Sequence, residues 1–340
     1  MSFRVGLIGA GGIAQSHLRA YEKLKSVQEV TVCDLNESAL SKAKSFTKVV
    51  RCTEHVKELL RDPELDWIDV CLPHHLHKDM VIRALQSGKD VVTEKPIAKT
   101  VREADAMIRA SQETSNSLYV SMNQLFFPYH QRATELLKEG ALGRVFLSVF
   151  HIMGNELSTM NDRSHWKGTW DRAGGGVLID TGYHALYMLL HWFGRPRAVT
   201  ALAKRIIVGP DNKGDDNTGV LVEFDDMIAT LAFSYSITTE AWTEKRFIYG
   251  TQRSLHIQDS TVQPLVQYEG GRRRVLMRGN PKADHPHRLS VGAALKEIFT
   301  CKRSGRPSLC SPYLAFDALR LAEAAYNSSR TGRRQNLLWE

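Results

Sequence analysis

Residues 4–14 of the chain read RVGLIGAGGIA, and this stretch decides the fold of the first part of the molecule. Residues 4–8 form a short apolar run, which predicts a buried β-strand. Residues 9–14 follow the pattern G-x-G-x-x-A, and beyond them apolar residues recur with helical spacing as far as Leu24. The stretch therefore predicts a strand, a tight glycine turn and a helix, in that order.

The turn and the strand that follows it carry the residues of a dinucleotide site. Glycines let backbone approach a pyrophosphate, and the helix offers free N–H groups, the alternative being a tight turn without a ligand. The next strand-like run ends in Asp34, where an acidic side chain would hold the ribose 2′-hydroxyl of NAD. No arginine follows at Leu35 or Asn36, which favours NAD over NADP. The candidate cofactor-binding residues of this region are Gly9, Gly11, Gly12, Ile13, Ala14 and Asp34.

Strand-like and helix-like segments alternate as far as residue 122, which predicts a doubly wound parallel sheet of six strands. The fifth strand ends in Glu94–Lys95–Pro96. An ammonium group at this position is costly to desolvate unless something pairs with it. Because ligands bind at the carboxyl ends of the strands in such sheets, we expect Lys95 to face a ligand.

The second part of the chain contains a glycine-rich stretch, residues 174–184, with Asp180 and His184. Its apolar spacing predicts a mostly buried helix, on which residues four apart share one face. The glycines would let backbone come close to a ligand, whereas a buried core histidine is the alternative interpretation of His184. No metal site is expected, because the sequence offers this pair neither an evident third ligand nor H-E-x-x-H spacing.

Residues 154–173 form a long polar segment, which predicts a functional loop. Trp166 and Lys167 lie in this segment. An aromatic side chain beside a polar one suits a sugar ring, which has apolar and hydroxylated faces. The alternative is that a loop tryptophan fills a small satellite core.

Most of the remaining sequence predicts an antiparallel sheet followed by two helices. Strand-like segments lie at residues 145–153, 198–208, 218–224, 227–237, 245–249 and 254–258, and helices at 288–301 and 312–329. We therefore expect an α/β chain with a doubly wound parallel Rossmann sheet in residues 1–122 and an α+β domain in residues 123–340. The second domain would contain a large, mostly antiparallel open sheet.

Length and charge restrict the class of protein further. A chain of 340 residues predicts two globular domains, and its net charge is +8. The positive charge concentrates locally at Arg272, Arg273, Arg274 and Arg278, which indicates a solvated hairpin or, alternatively, a rim that attracts anionic substrates. No platform of aromatic and basic residues accompanies this charge, so nucleic acid is not expected as a partner.

Cysteine use and hydropathy predict a cytoplasmic protein. The five cysteines form an odd set without a C-x-x-C pair, which indicates reduced thiols in or near the core. No run is long and apolar enough to span a bilayer, so no membrane partner is expected. Strand-like sequence begins at Phe3, and we therefore expect no signal peptide.

The sequence resembles the Gfo/Idh/MocA family of NAD(P)-dependent oxidoreductases, the superfamily of glucose–fructose oxidoreductase and inositol dehydrogenase. Four motifs carry the resemblance: the glycine turn at 9–14, Leu-Pro-His-His-Leu-His at 72–77, Glu-Lys-Pro at 94–96, and the later stretch at 174–184. The resemblance implies that the first domain binds the dinucleotide and that Lys95 reaches the substrate beside the nicotinamide. The further cofactor-binding residues that it implies are Leu72, Pro73, His74, His77, Glu94, Lys95 and Asn123.

Two positions depart from the family pattern. Where the family usually reads Asn-x-Arg-Phe-x-Pro, this chain has Leu125 in place of the arginine, which suggests a less polar pocket wall. Where the family commonly has Trp-Arg, this chain has Trp166 and Lys167. The candidate substrate-contacting residues are Gln124, Trp166 and Lys167.

The resemblance predicts reversible oxidation of a secondary hydroxyl of a sugar, a sugar derivative or a cyclitol. His184 would remove the hydroxyl proton, Asp180 would orient the imidazole, and Lys95 would stabilise the developing charge on oxygen. The alternatives are an NAD-dependent glycosidase that oxidises its substrate transiently and a catalytically silent ligand sensor. Family members also associate through the C-terminal sheet, and we expect a homodimer or homotetramer.

Overall fold

The structure, a computed structural model, describes residues 2–258, 262–279 and 286–339, with the side chains of 286–288 left undescribed. The chain divides into two compact units, and each contains its own β-sheet. The first unit comprises Met1–Phe126 and His287–Phe316, and the second comprises Phe127–Pro286 and Asp317–Glu340.

The first unit contains the predicted doubly wound parallel sheet. Its strands are β1 Phe3–Ile8, β2 Val27–Cys33, β3 Val49–Thr53, β4 Trp67–Val70, β5 Asp90–Glu94 and β6 Leu118–Ser121. Its helices are α1 Gly12–Lys23, α2 Glu37–Ala43, α3 Val56–Arg61, α4 His74–Gln86 and α5 Val101–Thr114, followed by a 3-10 turn, Asn123–Phe126. The strand order is β3-β2-β1-β4-β5-β6, so the order reverses between β1 and β4. Ligands of such sheets bind outside the carboxyl ends of the strands at this reversal.

Strands β4 and β5 lie in the middle of this sheet, and their residues are almost all buried. Burial on both faces explains why their sequences are continuous apolar runs and do not alternate. Asp69 is the exception in β4, since its carboxyl group is fully buried. A buried carboxylate requires hydrogen-bonding partners, and these partners are described with the candidate site.

The second unit is built on a nine-stranded sheet. Its strands are β7 Val145–Met153, β8 Ala198–Lys204, β9 Asn217–Glu223, β10 Ile228–Ser234, β11 Thr243–Gly250, β12 Ser254–Gln258, β13 Leu265–Glu269, β14 Arg272–Met277 and β15 Gln335–Asn336. The remaining helices of the chain are α6 Pro128–Lys138, α7 Leu157–Asn161, α8 Trp170–Ala173, α9 Gly182–Phe193, α10 Pro286–Ser304 and α11 Pro312–Thr331. The order is β14-β13-β12-β11-β7-β10-β9-β8-β15, and only the β7–β10 pair is parallel. The expectation of a large, mostly antiparallel sheet is therefore confirmed.

The four arginines at positions 272, 273, 274 and 278 lie on or next to β14, at the edge of this sheet, and all four are exposed. Gly270 and Gly271 form the turn between β13 and β14, with φ angles of 53° and 78° that favour glycine. The structure thus agrees with the interpretation of this charge as a solvated hairpin.

The predicted helix through Asp180 and His184 begins later than the sequence suggests. Helix α9 starts at Gly182, so Asp180 precedes it and the argument that both residues share one helical face is wrong. The backbone before α9 is held in turns instead, because Gly176 N and Leu178 N donate to the carboxylate of Asp215 at 2.9 and 3.1 Å.

The glycines of residues 174–176 serve the packing of this turn. A Cβ atom on Gly176 would lie 1.9 Å from Asp215 O, and one on Gly175 would lie 2.2 Å from the Tyr326 hydroxyl. Glycine is therefore required here by close approach of protein atoms. The expectation that these glycines make room for a ligand has no support in this geometry.

Residues 287–316 pack on the first unit, although the sequence prediction placed them in the second domain. The reason is aromatic packing: the Phe299 ring on α10 lies 5.4 Å from the ring of Phe3 and 4.9 Å from that of Trp67. Lys302 at the end of α10 also contacts Asp90 Oδ1 at 2.8 Å. A single boundary after residue 122 does not describe this arrangement.

Candidate functional site

The glycine turn between β1 and α1 has two kinds of glycine. Gly9 has a φ of 92°, and a Cβ there would lie 2.3 Å from Cys71 O, so the turn requires glycine for its own packing. A Cβ on Gly11 or Gly12, in contrast, would meet no atom within 4 Å. Gly11 is the N-cap of α1 and no side chain caps that end. The first turn of α1 thus faces open space, which is the arrangement that a pyrophosphate needs.

Asp34 lies beside this turn, at the end of β2. Its Oδ2 accepts a hydrogen bond from Ala10 N at 2.6 Å, and its Oδ1 accepts one from Asn36 N at 2.8 Å. Each carboxylate oxygen has a second lone pair, so the side chain retains capacity to accept from ribose hydroxyls. The residues present therefore fit the adenosine ribose of a dinucleotide.

Ile13 and Ala14 follow the open part of the turn on α1. Ala14 is fully buried, as expected where a helix packs closely on its strand, whereas Ile13 is half-buried. Ala14 therefore serves the packing of the turn, and contact of Ile13 with a cofactor stays a prediction.

His77 connects two of the predicted cofactor loops. Its Nδ1 lies 2.9 Å from Pro96 O and its Nε2 lies 2.8 Å from Leu72 O, so the ring joins the loop after β4 to the loop after β5. Burial lowers the pKa of His77, and a neutral ring donates to only one of the two carbonyls. Pro73 is the N-cap of α4, and the His74 ring lies 5.8 Å from that of His77. Direct contact of these residues with a cofactor stays a prediction.

Glu94 and Lys95 end β5 and start the loop that His77 holds. Glu94 is buried, with Oε1 at 3.0 Å from His17 Nε2 and Oε2 accepting from Lys95 N at 3.1 Å. Burial disfavours the charged form, but the hydrogen bond and charge of His17, together with Lys95 and Ser121, outweigh it and lower the pKa of Glu94. The Lys95 side chain is half-buried.

Asn123 and Gln124 lie in the 3-10 turn at the end of β6, and both are buried. The Asn123 amide donates to Ser290 Oγ on α10 at 3.0 Å. This bond ties the turn to the returning helix. The roles of Asn123 toward a cofactor and of Gln124 toward a substrate stay predictions.

The sequence reasoning missed two buried residues behind Glu94, namely His17 and Asp69. His17 Nδ1 lies 2.6 Å from Asp69 Oδ2, and both side chains are fully buried. One signal was present in the sequence, because Asp69 interrupts an apolar strand and a buried carboxylate needs a partner. Nothing in the sequence identified His17 as that partner.

In the second unit, Asp180 forms the centre of a small polar cluster. Lys167 Nζ lies 2.8 Å from Asp180 Oδ2 and 3.8 Å from Glu156 Oε2. The Tyr235 hydroxyl donates to the same Asp180 oxygen at 2.7 Å. Burial disfavours the Lys167 ammonium, but the attraction of Asp180 and Glu156 outweighs burial and raises the pKa of Lys167. Lys167 is therefore a cation held in place beside Asp180.

Trp166 precedes Lys167 in a 3-10 turn, Trp166–Gly168, within the segment predicted as a loop. Its ring lies 5.7 Å from the His165 ring, and Lys167 Nζ lies 5.6 Å from its centroid. The tryptophan is half-buried, so part of its ring remains accessible. Trp166 and Lys167 therefore present an aromatic and a charged surface next to Asp180.

His184 lies in the first turn of α9 and is buried. Its Nδ1 lies 2.8 Å from the Tyr187 hydroxyl, one turn further along the helix. Sequence reasoning missed Tyr187, although residues three apart on a helix are neighbours. The bond to Tyr187 helps to fix the orientation of the imidazole. Orientation of His184 by Asp180 stays a prediction.

A Rossmann unit with an open glycine turn and an acidic residue after its second strand defines the class of NAD-binding oxidoreductases. The family model described as "Oxidoreductase family, NAD-binding Rossmann fold" matches residues 3–122, and that of the "GFO/IDH/MocA C-terminal domain" matches residues 130–256. The chain belongs to the Gfo/Idh/MocA family of oxidoreductases, which confirms the resemblance.

Several relatives of known name are similar to the chain at low identity. A levoglucosan dehydrogenase of Pseudarthrobacter phenanthrenivorans is 27% identical over 210 residues, which cover 59% of this chain and 54% of that protein. A myo-inositol 2-dehydrogenase of Thermotoga maritima is 22% identical over 254 residues, covering 75% of this chain and 72% of that protein. The chain thus aligns with about half the length of the first relative and with most of the second.

Solved structures agree with the fold. A levoglucosan dehydrogenase in complex with NADH and levoglucosan superposes with a TM-score of 0.88, covers 99% of both chains and is 20% identical. At this identity the likeness establishes the fold alone. Among the described residues, no helix has both the length and the apolar character that crossing a membrane requires.

Proposed function

We propose that the protein is an NAD-dependent dehydrogenase that oxidises a secondary hydroxyl of a sugar, a sugar derivative or a cyclitol. The observation that carries the proposal is Lys95 at the carboxyl end of β5, in a unit whose glycine turn is open for a dinucleotide. The names of the family relatives, a levoglucosan dehydrogenase and a myo-inositol 2-dehydrogenase, support this substrate class.

The cofactor is NAD in preference to NADP. The Asp34 carboxylate is tied to the glycine turn through Ala10 N and cannot swing away without losing a 2.6 Å hydrogen bond. A 2′-phosphate beside it would meet a like charge, whereas a 2′-hydroxyl would donate a hydrogen bond. The open first turn of α1 would hold the pyrophosphate, and the loops at 72–77 and 94–96 would border the rest of the cofactor.

Two side chains, His184 and Lys95, would carry the proton chemistry. Bound NAD supplies the hydride acceptor. His184 accepts the proton of the substrate hydroxyl, and Tyr187 keeps its imidazole in one orientation. Lys95 donates a hydrogen bond to the reacting oxygen and stabilises its developing negative charge. The carbon loses a hydride and the oxygen loses a proton, which leaves a carbonyl group on the sugar ring.

Specificity would come from the polar cluster around Asp180. The Lys167 ammonium pairs with this carboxylate and the Tyr235 hydroxyl donates a hydrogen bond to it, so Asp180 is held in one orientation. An ionised carboxylate accepts hydrogen bonds from hydroxyl groups of a polyol, and the adjacent Trp166 ring suits the apolar face of a sugar. These features favour a hydroxylated ring as the substrate.

We also propose a homodimer or homotetramer that forms through the nine-stranded sheet. Leu202, Leu221 and Ile228 lie on neighbouring strands of its outer face and are 60%, 45% and 46% exposed. Large apolar side chains clustered on one face mark a protein–protein contact more often than a solvated surface. The compartment proposed is the cytoplasm, which the five free cysteines support.

A panel of sugars, cyclitols, uronates and nucleotide sugars tests the function. Purified protein with NAD should accumulate NADH with at least one member of the panel, read by absorbance. Substrate cleavage without NADH accumulation would instead identify a glycosidase that uses the oxidation transiently. Binding of NADH without turnover of any panel member would contradict the dehydrogenase proposal.

A further inference from the structure

A chain of hydrogen bonds runs through the interior of the first unit and ends next to Lys95. It begins at Asp69 in β4, whose Oδ2 lies 2.6 Å from His17 Nδ1. The other ring nitrogen of His17, Nε2, lies 3.0 Å from Glu94 Oε1. His17 and Asp69 are fully buried, and Glu94 is 7% exposed. Side chains of this kind are rarely buried unless they are paired, so the arrangement requires an explanation.

The geometry of this series of hydrogen bonds determines which of its side chains are charged. Both ring nitrogens of His17 face carboxylates, and only the doubly protonated ring donates to both. Burial disfavours that charge, but the interactions with Asp69 and Cys71 together outweigh burial, and the pKa of His17 is raised. The Tyr21 hydroxyl also donates to Asp69 Oδ2 at 2.5 Å. An imidazolium therefore lies between two carboxylates, with one hydroxyl adding to the stabilisation of Asp69.

A metal ion is the other occupant that this cluster could suggest. Ligand atoms of His17, Asp69 and Cys71 lie within 4.8 Å of one another. Without a metal, burial raises the pKa of the Cys71 thiol to about 12, so the protonated sulfur is able to donate a hydrogen bond. The thiol also lies 3.6 Å from Asp69 Oδ1, within hydrogen-bonding distance for sulfur. Hydrogen bonding thus accounts for all three residues.

Glu94, the last side chain in this series of hydrogen bonds, fixes the backbone around Lys95. Glu94 Oε2 accepts from Lys95 N at 3.1 Å, while Oε1 is engaged by His17. On the other side of the lysine, Pro96 O lies 2.9 Å from His77 Nδ1. The residues on both sides of Lys95 are therefore held by buried histidines. His17 is also on α1, the helix that begins at the open glycine turn. The same helix therefore contributes to the glycine turn and to the support of the Lys95 loop.

We propose that His17, backed by Asp69, is a positioning residue for Lys95: it holds the Glu94 carboxylate so that this group fixes the Lys95 backbone. The proposal rests on the proposed function, in which Lys95 contacts the reacting oxygen. His17 itself touches neither substrate nor cofactor. Its effect on turnover passes through Glu94, and Asp69 keeps the imidazole charged and oriented.

Two substitutions of His17 separate its two contacts. In His17→Gln the amide nitrogen reaches the place of Nε2 and keeps the donor to Glu94. In His17→Asn the amide nitrogen reaches the place of Nδ1 and keeps the donor to Asp69 only. Tyr21→Phe is the matched control, because it removes another buried hydrogen bond to Asp69 and leaves Glu94 untouched.

The first measurement needs no substrate. Lys95 is labelled by reductive methylation with formaldehyde and cyanoborohydride, and its rate is compared by mass spectrometry with that of the exposed Lys57 in the same sample. In His17→Asn the Glu94 carboxylate loses the donor that holds it in place on Lys95 N, so the half-buried lysine should become more accessible and be labelled about threefold faster. His17→Gln and Tyr21→Phe should match the wild type. Equal Lys95 labelling in the wild type and His17→Asn would overturn the proposal.

The second measurement uses the substrate that the sugar panel identifies. His17→Asn should lower kcat by about tenfold or more while the Kd for NADH changes by less than about threefold, because the lysine is misplaced and the open glycine turn is untouched. His17→Gln should recover most of the lost kcat. An equal loss in His17→Asn, His17→Gln and Tyr21→Phe would mean a merely structural role and refute the inference. A panel without any turnover would contradict the proposed function, and the labelling would still decide the role of His17.

Discussion

Lys167 Nζ lies 2.8 Å from Asp180 Oδ2, and the resemblance to the family places Lys167 where an arginine is common. Both side chains are largely shielded from solvent. We expect Lys167→Met to lower kcat/KM by about tenfold or more, because Asp180 would lose its cation and its orientation toward the substrate. Steady-state kinetics with the panel substrate measures this effect. Lys167→Arg is the control: it keeps the charge and should retain more activity than Lys167→Met, and the reverse order would contradict the role given to the cation.

Lys95 and His184 should both be needed for turnover. Lys95→Met and His184→Ala should each lower kcat by about two orders of magnitude or more, because each removes a group that acts on the reacting oxygen or its proton. Binding of NADH, followed by fluorescence titration, should stay within about threefold of wild type for His184→Ala. Lys57→Met, at an exposed lysine, serves as the control. Wild-type turnover in either site variant would remove that residue from the mechanism.

Asp34 should determine the choice of cofactor. Asp34→Ser removes the carboxylate that would repel a 2′-phosphate, so the preference for NAD over NADP should fall by about tenfold or more. The ratio of kcat/KM for the two cofactors measures it. Glu37→Gln, a change in charge nearby on α2, should leave the ratio close to that of the wild type. A preference for NADP in the wild type would contradict the role of Asp34 in excluding a 2′-phosphate.

The outer face of the nine-stranded sheet should determine the oligomeric state. Leu221→Glu places a charge among exposed apolar side chains and should dissociate the oligomer, because a charge is costly to desolvate in an apolar contact. Sedimentation velocity of wild type and variant measures the change in mass. Val262→Glu, at an exposed apolar residue away from this face, should leave the mass unchanged. A monomeric wild type would refute the interface.

Acid should weaken the second unit through His191. Burial, with a smaller contribution from Lys138, lowers the pKa of His191 to about 4. The pKa of a histidine in the unfolded chain is about 6.5, so between pH 6.5 and 4 the unfolded state binds a proton that the folded state does not bind. The free energy of unfolding therefore falls as the pH drops from about 6.5 toward 4. His191→Gln should therefore lose about 1–3 kcal/mol less than the wild type between pH 7 and 4.5, on the scale of 1.36 kcal/mol per pKa unit. Urea unfolding at the two pH values measures this, with the exposed His55→Gln as control, and identical pH dependence in wild type and His191→Gln would contradict the assignment.

The sequence predicted the parts of the fold that follow from local pattern. The glycine turn and the carboxylate of Asp34 appear where expected, because strand, turn and helix signals lie within a short stretch of chain. The helix before His184 was misjudged, since the turns at 174–181 depend on Asp215, a residue far along the chain. Long-range hydrogen bonds of this kind leave no periodic trace in the sequence.

The candidate site shows the same division. Glu94, Asp180 and His184 were identified by motif, whereas the residues that contact them, His17, Tyr235 and Tyr187, were not. Each partner has an ordinary alternative as a core residue, because histidine and tyrosine are often found partly or fully buried. Their importance becomes visible only when the fold shows which polar atom each one contacts.

The return of residues 287–316 to the first unit has a consequence for synthesis of the chain. The ring of Phe299 covers Phe3 and Trp67, and it leaves the ribosome after the whole central part of the second unit. During synthesis the first unit therefore lacks the cover over Phe3 and Trp67 until most of the protein has been made. A protein truncated after residue 126 would lack this cover permanently, whereas a protein that joins residues 1–126 directly to 287–316 would contain it.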